Sequence, residues 1–234
     1  TAKSLVHSIL ILAEERHIKY IIKHILLSTI LTVSFLASSF AQNFIPGSGI
    51  TDIDGNNYPT IIINGKEWIA SNLNVSRYNN GDTIPITPLG LDWVNLTSGS
   101  WVYYNNDTAN SNPYGKIYNY YSVNDTRGLC PVGWRVPSTN DFDTLINGIG
   151  GYSGNAMKLK VPGDTYWTYI SIFGDTVINN GNNLSGFSGI PSGFRYGMSS
   201  QPLDSSNGHF SSLGHYLNLW TTTPALNSPV WDNS

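Results

Sequence analysis

Residues 128–151, which read GLCPVGWRVPSTNDFDTLINGIGG, contain the clearest helix signal in the chain. Ser138 is placed to cap the helix, and Asp141 follows it at the three-residue spacing of a capping box. The apolar residues after the cap recur at i, i+3, i+4 and i+7, as on one face of a helix: Phe142, Leu145, Ile146 and Ile149. Glycines at 148, 150 and 151 end the pattern. The sequence therefore predicts one capped helix and gives Ser138 a structural role.

Strand and turn signals precede this helix. Residues 60–63 are mostly β-branched, and Asn64 and Gly65 form the dipeptide that favours a type I′ hairpin turn. Trp68 opens the return strand. Residues 101–104 and 117–123 have the aromatic and β-branched composition of strands. Several short antiparallel strands are therefore expected before the helix.

The chain after the helix is less regular. A helical turn is expected around residues 155–160, and short strand-like pieces occur at 176–178 and 217–222. The surrounding sequence is rich in Gly, Ser and Asn, so loops should outweigh regular structure there. These signals together predict an α+β fold with few helices and long loops.

The composition supports a compact core and argues against nucleic acid as a partner. Hydrophobic residues make up 40% of the chain and aromatic residues 12%, with 7 Trp and 14 Tyr. After Gln42, 12 Asp and Glu67 outnumber 8 Lys and Arg, which gives that part a net charge of −5. Its basic residues are scattered singly, whereas binding to a phosphate backbone needs clustered Lys and Arg.

The N-terminal region has the pattern of an export signal. Residues 24–39, HILLSTILTVSFLASS, are mostly apolar, follow two lysines and lead into a small-x-small cleavage pattern at 39–41. The apolar run is shorter than the roughly 20 residues of a membrane span. We predict a signal peptide within residues 1–41, whose true start is left open, a linker over 42–50 and one domain over 51–234. The mature chain then has no membrane span, and the protein is secreted or displayed at the cell surface.

Residue types that carry catalysis are sparse. Glu67 is the sole Glu after the export segment and lies beside Lys66 in the predicted hairpin, as a solvated strand charge would. Asp141 is better explained as a capping residue than as a catalytic acid. His209 and His215 do not match a metal-binding spacing. We predict no catalytic residues and no metal ligands.

The aromatic residues admit a structural and a binding interpretation. Four tryptophans are expected to be core residues: Trp68, Trp101, Trp134 and Trp220. Four of the 14 tyrosines occur as two adjacent pairs, Tyr103 with Tyr104 and Tyr120 with Tyr121. In an extended chain, one member of each pair points outward. These four tyrosines are therefore the candidate contact residues for a ligand.

Several phrases, in order along residues 51–224, resemble one family. They are DGNNYPTIIINGKEWIASNLNVSRYNNGDTIP, YGKIYNYYSVND, GLCPVGWRVPSTNDFDTL, GFSGIPSGFR and LWTTTP. The chain resembles the Fibrobacter succinogenes major paralogous domain family, whose members are exported proteins of Bacteroidota, Fibrobacterota and relatives, generally of uncharacterised activity. The resemblance implies export but no particular activity.

The phrase WRVPS also resembles the WRLPT phrase of formylglycine-generating enzymes, which share the C-type-lectin-like fold. This resemblance implies small twisted antiparallel sheets with one or two helices and long loops. The catalytic cysteine pair of those enzymes has no counterpart here, because Cys130 is the single cysteine and precedes the helix phrase.

Cys130 is expected to be structural. From the sequence alone it is either a buried unpaired residue or one whose partner lies outside the residues given. Members of the resembled family close with a GFSVRC phrase that carries a second cysteine. The resemblance therefore implies that the chain is truncated at its C-terminus and that Cys130 has lost its disulfide partner.

These observations predict an exported, non-catalytic module that binds an extracellular polysaccharide or a protein partner. An enzyme of unrecognised type and a purely structural surface protein remain alternatives. No cofactor is expected except calcium, since residues 201–204 and 231–233 echo the calcium loops of C-type lectins in scrambled form. The oligomeric state is left open.

Overall fold

The computed structural model describes residues 18–26, 44–171, 173–179, 181–197 and 208–223. The chain divides into two compact units, Thr1–Gln42 and Asn43–Ser234. In the first unit, residues 18–26 are helical (α1). No helix in the described ranges is both long and apolar enough to cross a membrane. The signal peptide over 1–41 and the linker over 42–50 remain predictions.

The second unit is a mixture of short strands and short helices. Its strands are β1 (Phe44–Pro46), β2 (Ile50–Thr51), β3 (Asn57–Tyr58), β4 (Thr60–Ile63), β5 (Lys66–Ile69), β6 (Trp101–Val102), β7 (Ile117–Tyr118), β8 (Thr168–Ile170), β9 (Thr176–Ile178), β10 (Ser192–Arg195) and β11 (Phe210–Leu213). Its α-helices are α2 (Gly90–Val94), α3 (Tyr120–Val123) and α4 (Thr139–Gly148). Single 3₁₀ turns occur at Tyr104–Asn106, Thr108–Ser111 and Ala156–Lys158.

The named strands pair antiparallel throughout. Strands β1, β4 and β5 form a three-stranded sheet in the order β1-β4-β5, and the others form four two-stranded pairs: β2-β3, β6-β7, β8-β9 and β10-β11. The predicted combination of small antiparallel sheets, few helices and long loops is thus confirmed.

The β4–β5 hairpin forms as its sequence predicts. Asn64 and Gly65 have φ angles of 50° and 75°, as a type I′ turn requires at both central positions. Ile61 lies opposite Trp68, and Ile63 lies opposite Lys66, so all four side chains share one face of the sheet. This face packs against α4 in the main apolar cluster of the unit.

Helix α4 begins at the predicted capping box. The Ser138 hydroxyl accepts a hydrogen bond from the Asp141 amide, and the Asp141 carboxylate accepts one from the Ser138 amide. Leu145 and Ile149 place the apolar face of the helix in the core, where Leu145 is 1% exposed. The predicted cap and apolar face of α4 are confirmed.

The Asp141 carboxylate also joins the helix to two distant segments. Lys66 Nζ from β5 donates to Asp141 Oδ1 at 2.5 Å, and Arg135 donates through both terminal nitrogens at 2.7 and 3.0 Å. Asp141 is only 4% exposed. The two cations and the capping bonds hold the pKa of this carboxyl well below its ordinary value of 3.8.

A second apolar cluster lies around the β6–β7 pair. It contains Tyr78, Ile84 and Tyr118 together with Val75 and Leu129. This cluster packs the loop before α2 against the strands that lead into α3.

A buried arginine ties the same loop to the β10–β11 pair. Arg195 is 5% exposed and donates to the carbonyls of Thr87, Pro88 and Gly208 at 2.7 to 2.8 Å. Its guanidinium lies between the rings of Trp93 and Phe210, at 4.8 and 4.7 Å from their centroids. Burial lowers the pKa of Arg195 to about 10, so the group stays protonated at neutral pH.

Three predicted strands are shorter than expected or absent. The strand predicted over 117–123 stops at Tyr118, because the Asn119 side chain accepts a hydrogen bond from the Ser122 amide and caps α3. The strand over 101–104 stops at Val102, before a 3₁₀ turn in which Asn105 has a φ angle of 54°. Residues 217–222 form no strand, and Leu217 makes only an isolated bridge to Gly193.

We expect Asp141→Asn to lower the free energy of unfolding by about 3 kcal/mol at neutral pH. The substitution removes the negative charge that faces Lys66 and Arg135, at a side chain that is itself only 6% exposed. Urea denaturation followed by circular dichroism measures the change. Asp143→Asn is the matched control, since Asp143 is exposed on the same helix and, among the described residues, its carboxylate binds only the Tyr152 hydroxyl. The control should change stability by less than about 0.5 kcal/mol.

The effect of Asp141→Asn should depend on pH in one direction. Because the folded-state pKa of Asp141 lies below the unfolded value of 3.8, its stabilisation is complete above that value. It is lost progressively as the pH falls toward the folded-state pKa. The difference in stability between the two proteins should be constant between about pH 5 and 7 and should narrow below about pH 4. A difference that stays constant down to about pH 2 would contradict this account of the carboxylate.

Candidate functional site

A cavity of about 620 Å³ opens between the β4–β5 hairpin, the start of α4 and the segment after β11. Three tryptophans from these separate parts of the chain line it: Trp68, Trp134 and Trp220. We name it the tryptophan cavity. Its volume lies within the range of about 300 to 1,000 Å³ that is usual for ligand pockets.

The aromatic walls of the cavity are held in place by their neighbours. Trp68 packs against Phe142 of α4 at 5.6 Å between ring centroids and against Phe187 at 6.1 Å. The indole nitrogen of Trp220 donates to the Tyr118 carbonyl at 3.1 Å. Fixed aromatic faces lose little conformational freedom when a ligand packs on them.

The expectation that four tryptophans are core residues is only partly right. Trp68, Trp101, Trp134 and Trp220 are all half-buried. Full burial is found instead at Trp93 and Trp167. Three of the four, Trp68, Trp134 and Trp220, expose part of their rings because they border the tryptophan cavity. Trp68 and Trp134, for which a structural role is predicted, therefore also form part of its wall.

One wall residue has an unused hydrogen-bond donor. The Trp68 indole nitrogen is buried and has no hydrogen-bond partner in the part of the chain that the structure describes. An unpaired buried donor costs free energy, and an acceptor that reached it would recover that cost.

In the solvent-exposed part of the cavity wall, two cations, Lys66 and Arg135, surround the Asp141 carboxylate. We name this part of the wall the mouth. Lys66 and Arg135, whose side chains are 38% and 66% exposed, both bind Asp141, whose side chain is 6% exposed. A third cation of the wall, Lys116, is engaged elsewhere, since its ammonium donates to Asn74 and Ser76 at 2.6 Å. Burial lowers the pKa of Lys116, and the nearby Asp54 partly offsets that effect.

Both carboxylates of the cavity wall have hydrogen-bond partners within the protein. Asp141 is fully bonded and its pKa is far below the range of a general acid at neutral pH. Glu67 accepts a hydrogen bond from the Thr60 hydroxyl at 2.5 Å, on the face of β5 opposite Trp68. Within the described ranges, no group of three His, Cys, Asp or Glu side chains is close enough to hold a metal ion.

Cys130 lies in the wall of the tryptophan cavity as a partly buried free thiol. Burial raises its pKa to about 11, so the group is a thiol and not a thiolate at neutral pH. The backbone carbonyl of Cys130 accepts a hydrogen bond from Asn79 at 2.8 Å. This environment fits a structural residue, and the disulfide that the family resemblance implies stays a prediction.

The four predicted contact tyrosines separate into two places. Tyr103 packs edge-on against Trp101 at 5.1 Å, and Tyr104 packs against Phe210 at 5.3 Å. Neither of these two tyrosines lines the tryptophan cavity.

Tyr120 and Tyr121 line a second, smaller depression of about 280 Å³, together with Asn124, Asp125 and Arg127. We name it the tyrosine depression. The two rings meet edge to face at 5.7 Å between centroids. Tyr120 also packs on Trp220 at 6.5 Å, so one aromatic contact joins the depression to the tryptophan cavity.

The geometric reason given for choosing Tyr120 and Tyr121 is wrong. An extended chain would turn one ring of the pair outward, but these residues are the first two of helix α3, and both are half-buried. The sequence argument also missed Lys66, Arg135 and Phe142 as residues of a site. Arg135 and Phe142 lie within the phrase that sets the capping box, but the sequence carries no signal that brings Lys66 to them.

The comparisons with known proteins identify a family. No curated protein sequence and no solved structure matches the chain. The model of the Fibrobacter succinogenes major domain matches residues 61–233, a stretch that contains every residue of the tryptophan cavity and of the tyrosine depression. The chain therefore belongs to the Fibrobacter succinogenes major domain family.

Proposed function

We propose that the protein is an exported, non-catalytic module that binds an extracellular polysaccharide in the tryptophan cavity. The observation that carries the proposal is a cavity of about 620 Å³ with three tryptophans in its walls and both of its carboxylates already bonded within the protein. Such a cavity can hold a ring-shaped group, and among the described residues it offers no pair of unbonded carboxylates to act on it.

The groups around the tryptophans suit a sugar. The C–H faces of a pyranose pack on indole rings, and sugar hydroxyls need neighbours that both donate and accept hydrogen bonds. The cavity wall supplies such neutral groups from Ser71, Asn72, Ser192 and Asn218. A protein partner that inserts an apolar side chain is the alternative occupant. An enzyme of unrecognised type has less support, because Asp141 and Glu67 are both hydrogen-bonded within the protein. A purely structural role has less support, because the cavity is open to a ligand.

Export and the finer fold assignment are part of the same proposal. The apolar run over 24–39 and the small-x-small pattern after it support a signal peptide and a secreted or cell-surface location. The capped helix beside small antiparallel sheets and long loops supports a C-type-lectin-like architecture. The calcium echoes at 201–204 and 231–233 lie outside the described residues, so calcium binding stays a prediction.

Trp134→Ala should weaken polysaccharide binding by about tenfold or more, since it removes one aromatic wall of the cavity. A glycan and cell-envelope-polymer array, run with and without calcium, identifies the ligand. Isothermal titration then measures the dissociation constant for the purified wild-type protein and the variants. Trp134→Phe, which keeps an aromatic face, should recover much of the affinity.

Tyr152→Ala serves as the control for this experiment, because Tyr152 is exposed and lines neither the cavity nor the depression. Circular dichroism checks that each variant is folded. A folded Trp134→Ala protein that binds the array ligand as tightly as the wild type would exclude the tryptophan cavity as the site. Binding to no glycan, with capture of a defined protein partner, would favour the alternative occupant.

The contact between Tyr120 and Trp220 favours a ligand that continues from the tryptophan cavity into the tyrosine depression. Tyr121→Ala should then reduce the affinity for longer oligosaccharides by about threefold to tenfold, the value of one aromatic contact. The affinity for a disaccharide that fills only the cavity should not change. Titration with oligosaccharides of increasing length tests this, and an equal loss for short and long ligands would show that Tyr121 acts through the fold.

A further inference from the structure

The hydrogen-bonding capacity of the tryptophan cavity is unbalanced toward donors. Both oxygens of Asp141 are occupied, by Lys66, Arg135 and Ser138, and the Glu67 carboxylate is turned to Thr60. The Trp68 indole N–H has no acceptor among the described residues, but it is buried, so the donors open to a ligand are those of Lys66 and Arg135. The neutral amides and hydroxyls of the wall both donate and accept, so they do not restore the balance.

The two cations at the mouth also have N–H donors that no described residue binds. Arg135 uses its two terminal nitrogens for Asp141 and Val136, and its Nε–H has no acceptor within the described ranges. Lys66 has three ammonium protons, and its one hydrogen bond to a described residue goes to Asp141. A ligand rich in acceptors would satisfy groups that the protein leaves unused.

The net charge at the mouth is positive, which favours the same kind of ligand as the excess of donors does. At the mouth, Lys66 and Arg135 carry two positive charges against the one negative charge of Asp141, which leaves one net positive charge. Over the whole wall the sum is the same, because the charges of Lys116 and Glu67 cancel. Lys116 does not change this sum at the mouth, because its ammonium lies over the Trp101 ring at 4.2 Å and near Asp54. The domain around the site is acidic overall, with a net charge of −5 after Gln42, so this local positive charge is a property of the site.

The arrangement also leaves Arg135 accessible. Its side chain is 66% exposed although its terminal nitrogens bind the buried Asp141. A guanidinium that is held in orientation on one side and open to solvent on the other is suited to bind a carboxylate. The salt bridge with Asp141 thus fixes the geometry of Arg135 without neutralising Lys66 and Arg135 together.

We propose that the ligand of the tryptophan cavity is an acidic polysaccharide whose sugar carboxylate is bound at the mouth by Arg135 and Lys66. This inference rests on the proposed function and names the chemical class of the ligand. The sugar ring packs between the tryptophans, and its carboxylate supplies the acceptors that the site lacks. A hexuronate unit combines the two features in one residue of the polymer.

The test compares each acidic ligand with its own neutral form. Oligogalacturonate and oligomannuronate are titrated into the purified protein beside their methyl esters, which keep the ring and lose the charge. We expect at least one of the acids to bind about tenfold or more tightly than its ester. The preference should shrink when the salt concentration is raised, because the mouth is open to solvent.

Arg135→Gln should remove most of the preference for the acid while leaving the affinity for the ester nearly unchanged. Arg135→Lys should keep part of the preference, since it keeps the charge but loses the planar guanidinium. Arg77→Gln is the matched control, because Arg77 is a partly exposed arginine that is likewise paired with one aspartate, Asp54, and lies outside the cavity. The free energy of unfolding of each variant is measured beside its affinity.

The outcomes separate this inference from the proposed function. If acid and ester bind equally and Trp134→Ala abolishes both, the polysaccharide site stands and the carboxylate assignment is wrong. A preference that survives Arg135→Gln likewise overturns the assignment to Arg135. If neither the acids nor any array glycan binds the folded protein, the proposed function fails and this inference fails with it.

Discussion

The two ion pairs and the hydrogen bonds of the Asp141 carboxylate connect the elements that form the main apolar cluster and the tryptophan cavity. This one carboxylate caps α4 through Ser138, holds β5 through Lys66 and fixes the segment before the helix through Arg135. The same contacts place Trp68, Trp134 and Phe142 around a common space, because each lies within two residues of a group bonded to Asp141 or next to Asp141 itself. The cavity and the core are therefore built from one polar junction.

In other parts of the fold, too, a polar side chain makes hydrogen bonds with the backbone groups of loops. Arg195 occupies three carbonyls from two loops, and Asp52 accepts hydrogen bonds from the amides of Asp54 and Asn56. Short strands leave many backbone groups unpaired, and each needs a partner when it is buried. This requirement accounts for a sequence that is poor in charge and rich in Asn, Ser and Thr.

The features that could be predicted from the sequence are those encoded within a few residues. The Ser138 capping box and the Asn64–Gly65 turn need only local hydrogen bonds and φ angles, and both form as predicted. The prediction of a strand over 117–123 was wrong beyond Tyr118, because the Asn119 side chain caps a helix instead. Composition does not reveal this competition between strand and helix. The tryptophan cavity was missed because its walls come from residues as far apart in sequence as Trp68 and Trp220. Tyr121 was chosen for an extended geometry that the chain does not adopt.

The central claim is that a ligand enters between Trp68, Trp134 and Trp220. The most direct measurement is a titration of the ¹⁵N-labelled protein with the array ligand, followed through the indole N–H signals of its 7 tryptophans. We predict the largest shifts at Trp68, Trp134 and Trp220, whose rings line the cavity, while the buried Trp93 and Trp167 stay unchanged. Saturable binding that leaves the three cavity tryptophans unshifted would contradict the account.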